Sequence, residues 1–89
     1  MFSPKSSRPD LDALYIAQLV SEGKQYEAAH FLFGLHKENV LLWAKIKDYL
    51  FTIAYTNSLL NTYATLVEIS SCDCFEQKAY LLPGSSEAN

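Results

Sequence analysis

Glycine and proline are scarce in this 89-residue chain, three of each, and neither gathers into a motif. Gly23, Gly34 and Gly84 stand alone, so no glycine-rich loop is present to cradle a phosphate. The cations are also few and scattered: seven Lys and Arg without a run or stripe, against ten acids, for a formal net charge of -3. A phosphate backbone needs clustered cations, so nucleic acid is not an expected partner. No apolar stretch reaches about 18 residues without a charge, so no membrane span is visible. Asp10 and Asp12 interrupt any apolar run behind Lys5 and Arg8, which removes the signal-peptide pattern and places the expectation in the cytoplasm.

Chemistry-bearing residues are equally thin. Neither Gly-x-Ser-x-Gly nor His-Glu-x-x-His occurs. His30 and His36 are six apart, about 120° off each other's face on a helix, so they form no i,i+4 ligand pair. His36 suits a helix C-terminus. The two cysteines, Cys72 and Cys74, are separated by one residue, a spacing that does not easily meet disulfide geometry, and two thiols alone make no zinc site. They are read as small semi-apolar residues near a helix start. A nucleophilic role would need a partnered histidine or an electropositive setting, and the intervening Asp73 argues against a stabilised thiolate. No catalytic residue, metal or cofactor is expected, and the chain is not expected to be an enzyme.

What is present is helix-forming apolar pattern. At 49% hydrophobic and 19% charged residues the composition is that of a folded chain. Its length admits one domain, assigned to residues 10–82. Residues 1–9, with two prolines and three serines, and 83–89, with Pro83, Gly84 and two serines, are expected as flexible tails. Helix 1 is predicted over about Asp10 to Glu22, with Pro9 suited to its start, Leu11, Leu14, Ile16, Ala17 and Val20 recurring at helical spacing, and Gly23 stopping it. Helix 2 follows over about Gln25 to His36, with Tyr26, Ala29 and Phe33 facing the core. Gly34 within it is either a point of close helix approach or simply tolerated, at up to about 1 kcal/mol against Ala. Asn39 is the candidate N-cap of helix 3, about Val40 to Tyr55. Asn57 or Ser58 would cap helix 4, about Leu59 to Ser70. Asp73 with Glu76 resembles a capping box opening a short fifth helix, Cys74 to Leu82, which Pro83 and Gly84 end. The expected fold is therefore all-α, built from antiparallel helix pairs, four to five helices in all.

The stretch Gly23-Lys24-Gln25-Tyr26-Glu27-Ala28-Ala29 looks like the inter-helix turn of a tetratricopeptide-type repeat: a turn residue, Tyr-Glu, then a small alanine where two helices touch. Outward from Ala29, Ile16 takes the large aliphatic site of the first helix and Ala17 the small site beside it. Val20 stands for the usual aromatic, and Phe33 occupies the aromatic site of the second helix. Ile16, Ala17, Val20, Tyr26, Ala29 and Phe33 are thus the expected helix-packing residues, the small ones letting helices cross closely. A second, degenerate unit is read about 35 residues later, with Phe51, Thr52, Tyr55 and Ala64 at the sites of Ile16, Ala17, Val20 and Ala29, and Glu68 in the place of Phe33. From Leu14 to Leu66 the chain resembles the small tetratricopeptide-like chaperones of bacterial type III secretion systems, the YscG/PscG/EscG group. The resemblance rests on size, acidity and the segment from Ile16-Ala17-Gln18-Leu19-Val20 through Tyr26-Glu27-Ala28-Ala29 to Leu35. It implies a short array of stacked helix pairs that holds the secretion needle subunit in the bacterial cytoplasm, soluble and unpolymerised, with a second small helical co-chaperone. It implies no catalytic residues.

Apolar excess points the same way. Helices 2 and 3 are apolar around more than half of their circumference, and a two-layer domain this small cannot bury both sides of several helices. In repeats of this type the first helix of each pair lines the concave face. The expected partner-binding set is therefore Leu11, Leu14 and Gln18 from helix 1 with Ile46, Tyr49 and Ile53 from helix 3, a groove for an amphipathic helix with Tyr49 as its anchor. Two other readings stay open: a small helical inhibitor or immunity-type protein that blocks an enzyme, and an obligate homo-oligomer.

Overall fold

The computed structural model describes residues 8–84; the expected tails at 1–7 and 85–89 lie outside the described residues. It is all-helical: α1 (Pro9–Ser21), α2 (Gln25–Glu38), α3 (Val40–Asn57), α4 (Leu60–Ser70) and α5 (Phe75–Lys78), which runs into a 3-10 turn at Ala79–Leu81. Pro9 belongs to α1, at its first turn, where its missing N–H costs nothing.

Local signals explain most boundaries. Gly23 takes φ +78°, the left-handed geometry that ends α1 without a Cβ clash. The Asn39 side chain caps α3, its Oδ1 accepting from the Leu42 N–H at 3.1 Å. The α3–α4 junction departs from expectation. Ser58 spends itself on a left-handed turn (φ 58°), and Leu59 stands at the N-cap of α4 with no side-chain cap. The anticipated capping box at α5 is also absent. Cys74 holds the cap position there, and neither Asp73 nor Glu76 reaches back to a free N–H.

Very short turns make successive helices antiparallel, so α1 and α3 run in one direction and α2 and α4 in the other. α1 packs principally along α3 and α2 along α4, giving two layers, α1/α3 and α2/α4. Burial repeats with a spacing of 34 residues: Ile16 and Leu50, Val20 and Ala54, Ala29 and Tyr63, Leu32 and Leu66 are all buried. The second unit therefore sits one residue earlier than the 35-residue reading. Leu50, Phe51, Ala54, Tyr63 and Val67 take the sites of Ile16, Ala17, Val20, Ala29 and Phe33. The residues first assigned there confirm the slip, since Thr52, Tyr55 and Ala64 are exposed and Glu68 is a surface acid. Where the first pair has the small Ala17 and Ala29, the second has the larger Phe51 and Tyr63. Of the expected packing residues, Ile16, Val20 and Ala29 are buried, and Ala17, Tyr26 and Phe33 are half-buried against the same core.

After α4 the chain doubles back over the outer side of α2. Phe75 is buried and stacks flat on Phe33, ring centroids 4.3 Å apart, with Tyr26 and His30 beside it. Ala79 is buried, and Leu82 packs against the core. The Pro83 carbonyl accepts from the Tyr26 N–H at 2.8 Å, and Gly84 abuts the backbone of Gly23 and Lys24. Pro83 and Gly84, expected in a flexible tail, are thus fastened to the α1–α2 turn. The aromatic side of α2 is covered from within the chain, by α5 and the 3-10 turn.

Candidate functional site

With the C-terminal segment covering the aromatic side of α2, the outer side of α1 carries an open apolar stripe, beside smaller exposed apolar groups at Leu59, Leu60, Tyr80 and Leu81. On α1, Leu11, Leu14, Tyr15 and Gln18 lie opposite the buried Ala13, Ile16 and Val20; Leu11, Leu14 and Tyr15 are each half-exposed or more. The helical period places these four on one stripe. Tyr15 is steadied by an edge-on contact with Phe31 of α2, centroids 5.1 Å apart. A shallow cleft beside this stripe is walled by Leu14, Ala17, Leu59, Thr62 and Tyr63. Gln25 also lines it, and its Oε1 is buried with no hydrogen-bond partner among the described residues.

The contribution of α3 differs from expectation. Tyr49 is 47% exposed, as anticipated, but Ile46 is fully buried among Trp43, Leu50 and the α1 core residues, and Ile53 is half-buried. Neither belongs to an accessible groove in the way the 35-residue register required. In the 34-residue register the α3 counterparts of Leu11, Leu14, Tyr15 and Gln18 are Lys45, Asp48, Tyr49 and Thr52, all exposed. The face is therefore an apolar strip on α1 beside a mixed strip on α3, where exposed Leu41 and Tyr55 flank Lys45, Asp48 and Thr52, with Tyr15 and Tyr49 at equivalent positions. Tyr15 is the residue the sequence reading missed. Its pairing with Tyr49 across 34 residues was the available signal.

Electrostatics at this face are mild. Burial pushes the Asp12 carboxyl above its usual range, and neighbouring Asp10 adds to the shift. Asp10 is itself held lower by a hydrogen bond from Arg8. The ion pairs Arg8–Asp10 and Lys24–Glu22 are exposed and contribute little.

A second cluster sits at the opposite end, where α4 hands over to α5. Cys72 and Cys74 form a disulfide, against the expectation from their spacing. The chain leaves α4 in consecutive turns there, and the two Cα atoms stand 5.0 Å apart, inside the bridging range. Phe33, His36 and Lys37 of α2 share a small cleft with Cys72, Asp73 and Glu76. His36 stands edge-on to Trp43 at 4.7 Å, and Lys37 Nζ lies 5.1 Å over the Phe33 ring. Among the described residues no group of three or more His, Cys, Asp or Glu is placed to hold a metal ion, and no helix is long and apolar enough to cross a membrane. Comparison with protein-family models, curated proteins and solved structures finds no match to this chain.

Proposed function

We propose that the chain is a non-catalytic binding module that receives an amphipathic helix of a partner protein on the outer face of α1 and α3. The observation that carries this reading is the continuous apolar stripe left open along α1, with Tyr49 of α3 beside it. The chain uses its last described segment to cover the aromatic side of α2, while Leu11, Leu14, Tyr15 and Tyr49 stay half-exposed on the other layer. Covering those four side chains would return about 1 kcal/mol each. An incoming helix would lay its apolar stripe on α1 and present polar side chains of both signs to Lys45 and Asp48 of α3. The resemblance in sequence supports a finer form of the proposal. The partner is then a type III secretion needle subunit, kept soluble and unpolymerised in the bacterial cytoplasm together with a small helical co-chaperone.

The test is a titration of the full chain with a fluorescently labelled peptide carrying the C-terminal helix of the needle subunit encoded in the same genome. Saturable binding is expected, weakened at least about tenfold by Leu14→Asp and by Tyr49→Ala. Far-UV circular dichroism checks that both variants keep the helical fold. Binding that ignores both substitutions in folded protein rules out this face; no binding at all rules out the needle-subunit reading.

A further inference from the structure

The Cys72–Cys74 bridge closes over a single residue, so it ties no distant parts of the fold together and does little for stability by restricting the unfolded chain. Its surroundings are better suited to chemistry. Both cysteines are partly exposed, and Cys72 lines the cleft shared with His36 and Lys37 while Cys74 does not. The Cys74 N–H donates to Cys72 Sγ at 3.0 Å, a backbone donor already aimed at the sulfur that faces the cleft. We propose that Cys72–Cys74 is an exchangeable disulfide that reacts with low-molecular-weight thiols of the glutathione type, with Cys72 as the reacting sulfur.

In the reducing direction a glutathione thiolate attacks Cys72 Sγ from the cleft. The bond between the two cysteine sulfurs breaks, and Cys74 leaves as a thiolate that takes a proton from water. A second glutathione thiolate attacks the mixed disulfide at its glutathione sulfur and releases Cys72. The balance is one protein disulfide and two thiols in, one protein dithiol and one glutathione disulfide out. The Cys74 N–H and the Lys37 ammonium favour the released Cys72 thiolate. Asp73 from the turn and Glu76 from α5 face the same cleft and oppose them. In the oxidising direction Cys72 is the nucleophile and Cys74 resolves the mixed disulfide. The cleft is narrow, bounded by Phe33 and by the turn itself, which favours a small thiol over a protein one.

The full chain is equilibrated in glutathione redox buffers at pH 7, quenched with acid and mapped by mass spectrometry. Reversible interconversion of disulfide and dithiol is expected, and Cys74→Ser should trap a glutathione adduct at Cys72 at least about tenfold faster than Cys72→Ser traps one at Cys74. On the unsubstituted reduced chain, the pH profile of iodoacetamide alkylation should place the Cys72 midpoint below that of Cys74, and Lys37→Gln should move it up. Equal trapping in the two variants overturns the proposal. So does a Cys72 alkylation profile matching that of a free peptide of residues 70–76, a measurement that stands even if the variants fail to fold.

Discussion

Ser70 is the one polar residue among the described residues that is fully buried, and it earns that position by bonding twice. Its hydroxyl accepts from the Trp43 indole N–H at 3.1 Å and donates to the Val67 carbonyl at 2.8 Å, joining α3 to α4 through a side-chain bond inside the core. Ser70→Ala leaves the indole N–H without its acceptor and should cost about 1–3 kcal/mol, read as a fall in the denaturation midpoint at unchanged slope. Tyr63 makes a different case. Burial holds its phenol above the ordinary value of 10.0. The unfolded chain therefore loses this proton first. The contribution to stability is complete below about pH 10 and declines as pH rises from there toward the folded value. Tyr63→Phe should flatten that alkaline decline while changing stability little at pH 7, as thermal melts across pH 8 to 11 would show.

At the scale of the element, two glycines with the same composition-level signature behave in opposite ways. A Cβ built at Gly34 meets nothing within 4 Å, so the residue marks no close approach between helices and α2 merely tolerates it. Gly34→Ala should raise stability by up to about 1 kcal/mol, measured as an increased melting temperature. A Cβ at Gly84 would stand 2.7 Å from the Lys24 Cα, at φ +90°. Gly84→Ala should loosen the C-terminal segment and cost more than about 1 kcal/mol, with faster amide exchange at the Tyr26 N–H as its local sign. Neither outcome was legible from sequence: Gly84 is decided by Lys24, sixty residues earlier in the chain, and Gly34 by the absence of any packed neighbour. The four long helices were legible to within a residue or two, since caps such as Asn39 and stops such as Gly23 act locally; the fifth, read as Cys74 to Leu82, is α-helical only to Lys78 and tightens to a 3-10 turn beyond it. The second repeat was not legible. Adjacent apolar residues in α3, Leu50 with Phe51 and Ala54 with Tyr55, let the pattern fit at 34 or 35 residues, and only burial separates the two. That single slip turned Ile46 and Ile53 outward on paper and hid Tyr15. The Cys72–Cys74 bridge was missed because the i,i+2 spacing alone was read as unsuited to a disulfide, whereas the turns after α4 hold the two Cα atoms 5.0 Å apart.

On the scale of the whole molecule, two helix pairs are the least that can form a stack, and neither has an interior. Ile16 of the first pair and Ile46 and Leu50 of the second are fully buried only because α1 lies along α3, and Leu32 and Leu66 because α2 lies along α4. A long solenoid can fray at one pair and keep others folded; the two pairs described here each complete the other's core, so neither stands without its neighbour. Melting should accordingly be a single step, with fluorescence from Trp43, the sole tryptophan, and the helical signal of the entire chain changing at the same temperature. Any binding partner then meets either the intact molecule or none of it, so a ligand seated on α1 and α3 would protect α4 and the distant Phe75 stack as fully as the surface it touches.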